Sequence, residues 1–122
     1  MGFEELKIEK EILAGKNIPV LILYGAINVN TFDKLEQSIN DLFREEKYNV
    51  LIDCSNVRYV SSAGAGVLMN AYLRAQEHGG KLILIKLSPG IRDVLDLLNL
   101  QNVILSADDA RAALAMMEER AP

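Results

Sequence analysis

Val50-Leu-Ile-Asp-Cys-Ser-Asn-Val-Arg-Tyr-Val-Ser-Ser-Ala-Gly-Ala-Gly66 is the stretch whose reading decides the fold. Its apolar start, Val50 to Ile52, reads as a short strand buried on both faces, with Asp53 at its exit. A polar loop is predicted next, then two serines and four very small residues. They lead into a helical pattern, Val67 to His78, stopped by Gly79-Gly80. Val67, Leu68, Ala71, Tyr72 and Ala75 form the apolar stripe of that helix. Gly64 and Gly66 each cost about 1 kcal/mol relative to alanine inside a helix. Weak helix formers at the head of a strong helix predict that something approaches that backbone closely.

Working outward, Phe3 to Ile12 alternates in part, with Leu6, Ile8 and Ile12 opposite Lys7, Glu9 and Glu11. That is the pattern of a half-solvated edge strand. Ala14 to Asn17 is a turn, and Ile18 to Tyr24 is a second strand interrupted early by Pro19, so the pair reads as a hairpin. Gly25 to Asn30 connects to a helix with Asn30 as its expected cap and Asp33 in its first turn. Phe32, Leu35, Ile39, Leu42 and Phe43 give that helix one buried face between Thr31 and Lys47. Beyond the central stretch, Lys81 to Leu87 is a buried strand, and Ser88-Pro89 caps and opens a helix carrying Ile91, Val94, Leu95 and Leu98. Asn102 to Leu105 reads as a last short strand. Ser106 with Asp109 resembles a capping box opening a final helix to about Arg120. Strands separated by helices run parallel, with right-handed crossovers. The expectation is one α/β domain over residues 1–122, with a mixed, mostly parallel sheet of about five strands, an N-terminal hairpin and about four packed helices.

A chain of 122 residues, half apolar and a quarter charged, has the profile of a soluble globular domain. Its net charge of −4 disfavours nucleic acid. Apolar runs far short of a membrane span, and the lack of a signal-type N-terminal segment, predict a cytoplasmic protein without membrane insertion. Cys54 is the only cysteine and ends an apolar run, so it is expected to be buried.

The residues supply no catalytic set. His78, the single histidine, falls in the last turn of a helix, where it favours the negative end of the dipole. No Ser-His-Asp or Cys-His arrangement and no metal-ligand spacing can be placed. Ser61-Ser-Ala-Gly-Ala-Gly66 is neither a P-loop nor a dinucleotide fingerprint. Asp93 and Asp96 read as the solvated face of one helix. The expectation is a non-enzyme without cofactor or metal. The serine pair remains. One of the two is expected to cap the helix. A hydroxyl there also lies where amide donors and the dipole welcome a phosphate, and phosphorylation would add about −1.5 to −2 of charge. Ala63, Gly64, Ala65 and Gly66 would present a smooth surface for a partner.

Asp53 to Leu68 resembles the signature of the STAS domain, the anti-sigma factor antagonist family: a strand ending in Asp, a short loop, then Asp/Ser-Ser-Ser/Ala/Thr-Gly-Leu-Gly and a helix. Tyr24-Gly-Ala-Ile-Asn-Val-Asn-Thr31 is similar to that family's Gly-Glu-Leu-Asp loop. Lys81 to Pro89 and Val94 to Leu100 resemble its later strand and helix. The resemblance implies a cytosolic protein that binds an anti-sigma factor serine kinase when unphosphorylated, freeing a sigma factor. It implies phosphorylation of Ser62 by that kinase and reversal by a metal-dependent serine phosphatase. Ser61, Ala63, Gly64, Ala65, Gly66, Asn28 and Asp53 become the expected partner-binding residues. Asp53 either orders the loop or serves only as a turn former. Two departures stand out: Ser61 replaces the frequent Asp before the acceptor, and Asn28 replaces the Asp of the loop. Both remove negative charge beside Ser62. The competing expectation is a constitutive STAS scaffold subunit of a sensory or transport assembly.

Overall fold

The computed structural model describes residues 5–13 and 15–118. The elements, in order, are β1 (Leu6–Leu13), β2 (Ile18–Ile27), α1 (Phe32–Arg44), β3 (Val50–Val60), α2 (Ser62–Glu77), β4 (Leu82–Ile85), α3 (Pro89–Leu97), β5 (Leu105–Ala107) and α4 (Ala110–Glu118). One five-stranded sheet has the order β1-β2-β3-β4-β5. β1 pairs antiparallel with β2, and every later pair is parallel. The expected mixed sheet with its N-terminal hairpin and four helices is therefore present. Phe3 and Arg120, the outer limits expected for the first strand and last helix, lie outside the described residues.

The strand order never reverses, so crossovers of one hand place their helices on one face. α1, α2 and α3 accordingly bury Leu35, Ile39, Leu68, Ala71, Ile91 and Leu95 against Leu21, Leu23, Ile52 and Leu84. α4 follows the last strand and bridges nothing, so it is free to turn to the opposite face. There Ala113, Met116 and Met117 pack on Val20, Leu51, Ile83 and Ile85. The strands β3 and β4 are thus covered on both sides, which explains their unbroken apolar runs. Pro19 precedes the first β2–β3 pair, Val20 with Leu51, so its missing N–H costs that ladder nothing.

Four local expectations need correction. β3 does not stop at Ile52. Asp53, opposite Ile85, is the last residue paired with β4, but the strand continues to Val60 along β2 alone. Two irregularities in that ladder keep Val57 and Val60 turned into the core. Asn30 does not cap α1. Thr31 occupies that position, and its Oγ1 accepts from the Asn28 amide at 2.9 Å and donates to the Ala26 carbonyl at 2.7 Å. The last strand is Leu105–Ala107 rather than Asn102 to Leu105, because Leu105, Ser106 and Ala107 align with Ile83, Leu84 and Ile85. Ser106 is therefore a strand residue, and Asp109 Oδ1 caps α4 by accepting from the Ala112 amide at 2.9 Å. The remaining caps stand as expected. Ser88 Oγ accepts from the Ile91 amide at 3.2 Å ahead of Pro89. Gly79 takes a φ of +78°, and the Gly80 amide reaches back to the Ala75 carbonyl at 2.8 Å to close α2. Asp93 and Asp96 are exposed, and Cys54 is buried.

Candidate phosphate-acceptor site

The two serines of the central stretch have separate positions and separate roles. Ser61 leaves β3 in extended conformation, φ −84° and ψ 170°, and is the N-cap of α2. Its Oγ accepts from the Gly64 amide at 3.1 Å, and its carbonyl accepts from the Ala65 amide at 2.8 Å. Its own N–H donates to the Ile27 carbonyl at 2.8 Å, tying the corner to the end of β2. Ser61 is thereby committed to the backbone. Ser62 is the first helical residue and is exposed. Its N–H and that of Ala63 belong to the helix's opening turn, where no intrahelical acceptor exists. No acidic residue stands in that turn, so the positive end of a sixteen-residue helix is uncompensated beside the Ser62 hydroxyl.

The small residues divide in the same way. A Cβ on Gly64 would lie 2.6 Å from both Ile27 Cγ2 and the Ile27 carbonyl oxygen. The close approach expected at this backbone is therefore internal: the head of α2 is pressed onto the end of β2. Ala65 is buried beside it. Any part these two have in docking is indirect, through the position of the helix. Gly66 is different, since a Cβ there would meet open space. Together with Ser62 and the half-buried Ala63 it forms the presented surface.

Asn28 joins this surface from the neighbouring loop. It follows Ile27, whose carbonyl holds Ser61, and its Oδ1 accepts from the Asn30 amide at 2.8 Å. That closes an Asx turn before α1. Asp53 does not join it. Cys54 to Val60 intervene, on the order of 25 Å of extended chain. Asp53 is instead buried in β3, where Oδ1 accepts from the Ser55 amide at 2.9 Å and from Ser55 Oγ at 2.6 Å. Its Oδ2 faces Lys86 Nζ at 3.6 Å. Its side-chain contacts are with Ser55, two residues on, and with Lys86, just beyond β4. Next to it, burial pushes the Cys54 thiol up to about 12, with the Asp53 charge as the smaller cause. Cys54 therefore stays protonated and unreactive in the folded chain.

Two exposed residues, one just after β2 and one at the end of β3, had no place among the expected site residues. Val29 and Tyr59 are 69% and 50% exposed, although both are large and apolar. Val29 follows Asn28, and Tyr59 pairs with Ala26 at the end of β2. Their signal in the sequence is weak: one apolar side chain between two asparagines, and one aromatic residue in a segment read as loop. Among the described residues, no group of three or more His, Cys, Asp or Glu side chains could hold a metal ion. No helix among them is long and apolar enough to cross a membrane.

A family model described as STAS domain matches residues 9–113. The chain is 24% identical over 103 residues to a putative anti-sigma factor antagonist, BtrV, of Bordetella bronchiseptica, covering 84% of this chain and 89% of that one. It is 23% identical over 114 residues to the anti-sigma F factor antagonist of Paenibacillus polymyxa, covering 93% and 96%. Its fold matches the crystal structure of an anti-sigma factor antagonist from Mycobacterium paratuberculosis with a TM-score of 0.81 at 22% identity, covering 93% and 95%. It also matches the Bacillus cell fate determinant SpoIIAA in its phosphorylated form, with a TM-score of 0.67 at 16% identity, covering 90% and 99%.

Proposed function

Because this chain belongs to the STAS domain family, we propose that it is an anti-sigma factor antagonist switched by phosphorylation at Ser62. The observation that carries this reading is the division of labour between the serines. Ser61 is spent as the cap of α2, while Ser62 stands exposed one residue on. The fold does not depend on the Ser62 hydroxyl, so a phosphate can be added or removed there without opening the structure. Unphosphorylated, the surface of Ser62, Ala63 and Gly66 is uncharged, and it docks an anti-sigma factor serine kinase in the cytoplasm. Phosphorylated, it carries about −1.5 to −2 of charge that the interface would have to desolvate. The kinase is then released, and a metal-dependent serine phosphatase resets the switch. In this reading the chain is substrate and ligand, not catalyst.

The test is capture from a host lysate with ATP or ADP, using wild-type bait and the variants Ser62→Asp and Ser62→Ala. Mass spectrometry reads both the bound proteins and the bait's own mass. Wild type is expected to retain a kinase and to gain a phosphate at Ser62 with ATP. Ser62→Asp should lose at least tenfold of the captured kinase with an unchanged melting temperature, and Ser62→Ala should keep it. Equal capture by all three baits with no added phosphate would leave Ser62 as an ordinary helix residue, and the chain as a constitutive scaffold subunit.

A further inference from the structure

α2 opens with a run from Ser62 to Leu73 in which no residue is charged, although charged residues make up 25% of the chain. Each of the other helices carries a charge within its first four residues: Asp33 in α1, Arg92 in α3 and Arg111 in α4. Burial explains part of the run, since Val67, Leu68 and Ala71 face the core. It does not explain the outer side, where Ser62, Gly66, Asn70 and Leu73 are exposed and Met69 is half-buried. The water-facing side of a surface helix is charged or strongly polar as a rule. Depletion of charge there is the compositional mark of an interface core.

Resting on the reading of Ser62 as the switch, we propose that the docking surface runs from Ser62 along the outer side of α2, through Gly66 and Met69, to Leu73. It receives an apolar, uncharged ridge of the same kinase. Steps of four, three and four residues keep these side chains within about 60° of arc on a helix of 3.6 residues per turn. They span about 16 Å of its length. The stripe is thus continuous with the Ser62 hydroxyl. Gly66 leaves room for close approach, since a Cβ there would meet nothing within 4 Å. Leu73, 41% exposed, supplies the apolar contact at the far end. Arg74, the first charge of the helix, is held against α1 instead: Nη1 donates to Asn40 Oδ1 at 2.6 Å, and the guanidinium lies over the Phe43 ring.

Size and charge choose the occupant. A strip about 16 Å long and about 10 Å wide offers on the order of 160 Å². Stable association buries about 800 Å² per partner, so a second copy docking on this strip alone would not stay bound. The strip suffices as the apolar core of a wider contact that begins at Ser62. Its partner surface carries no charge either, because a charged side chain buried here would lose its water and gain no counter-charge. The apolar end at Leu73 then supplies affinity, and a phosphate at the Ser62 end removes it.

The experiment uses the full chain and the kinase that wild-type bait retains, expressed and purified, with binding measured by isothermal titration in ADP. Leu73→Asp is expected to weaken binding at least tenfold, and Leu73→Met, which keeps an apolar contact, less than twofold. Ile12→Asp makes the same change at a β1 side chain of similar exposure, 45%, and should alter affinity less than twofold. Thermal melting checks the fold of each variant, with the uncharged Leu73→Gln in place of Leu73→Asp if the latter melts early. Unchanged binding by Leu73→Asp, or equal losses at Leu73 and Ile12, would overturn the proposal. Ser62→Asp is titrated alongside. Its loss of binding beside an unaffected Leu73→Asp rejects the stripe and leaves the Ser62 reading standing. The reverse pattern rejects the switch and keeps the docking face. A lysate from which wild-type bait retains no kinase overturns both.

Discussion

Gly64 and Gly66 stand two residues apart in the same helix turn, yet they answer to opposite constraints. Gly64 lies against Ile27, so Gly64→Ala forces α2 away from β2 and should cost about 1–3 kcal/mol of unfolding free energy. Gly66 faces open space, so Gly66→Ala should stabilise by up to about 1 kcal/mol through reduced backbone freedom in the unfolded chain. Urea denaturation of the two variants reads both signs. Equal shifts would refute the contact at Ile27. Cys54 gives a pH prediction. Its folded value of about 12 lies above the ordinary 9.0, so between those values the unfolded chain has lost a proton that the folded chain keeps. Stability attributable to this thiol is whole below pH 9 and declines as pH rises towards 12. Cys54→Ser should flatten that alkaline slope, measured by denaturation across the same range. Both glycines were legible as anomalies in a helix; which of them touches protein and which touches solvent was not. Sequence spacing carries no sign of the neighbour across the fold.

At the level of elements, the paired ends of α1 and α2 show how far local signals reach. The stop of α2 at Gly79 could be read directly, because glycine alone adopts a positive φ without cost. The stops of α1 and α3 place Glu46 and Asn99 at φ +60° and +58°, and only the returning amides of Lys47 and Leu100 reveal them. The same region joins the two helices. Arg74 Nη1 donates to Asn40 Oδ1 at 2.6 Å, and its guanidinium lies 4.9 Å from the Phe43 ring centroid. Tyr48 bridges Phe43 and His78, stacking on the imidazole at 4.2 Å while His78 Nδ1 meets the Arg74 carbonyl at 2.9 Å. His78 thus serves the helix end, as its position in the sequence suggested, and adds an aromatic contact that its position could not show. Arg74→Ala should cost about 1–2 kcal/mol, the sum of a hydrogen bond and a cation–π contact, both partly solvated. Arg74→Lys should recover less than half, since a lysine loses the planar donor geometry. Thermal denaturation of both variants checks the pair, and a neutral Arg74→Ala would dismiss the bridge.

Across the whole molecule, stability is distributed unevenly between the two faces of the sheet. The face under α1, α2 and α3 holds most of the buried side chains, whereas α4 contributes one buried residue, Ala113, and two partly buried methionines. β5 is three residues long and pairs only with β4. Native-state hydrogen exchange should therefore show β5 and α4 opening sub-globally, with protection at least tenfold below that of β2, β3 and β4. Uniform protection through residue 118 would contradict this unevenness. Alternating and helical apolar periods, caps and glycine stops were enough to specify the order of elements, the hairpin and the parallel sheet, because each is a property of neighbouring residues. The serine pair and the small residues behind it were likewise visible as an anomaly, since weak helix formers at a helix start are a local conflict. Tertiary structure alone decided the rest. It carried β3 on to Val60 because β2 was there to pair with it, and it set Asp53 apart from the head of α2 by that same extension. It assigned the cap to Ser61 and the exposed hydroxyl to Ser62 because the Ile27 carbonyl takes the Ser61 amide. These are pairings between residues distant in the chain, and their energies depend on geometry that no local pattern encodes.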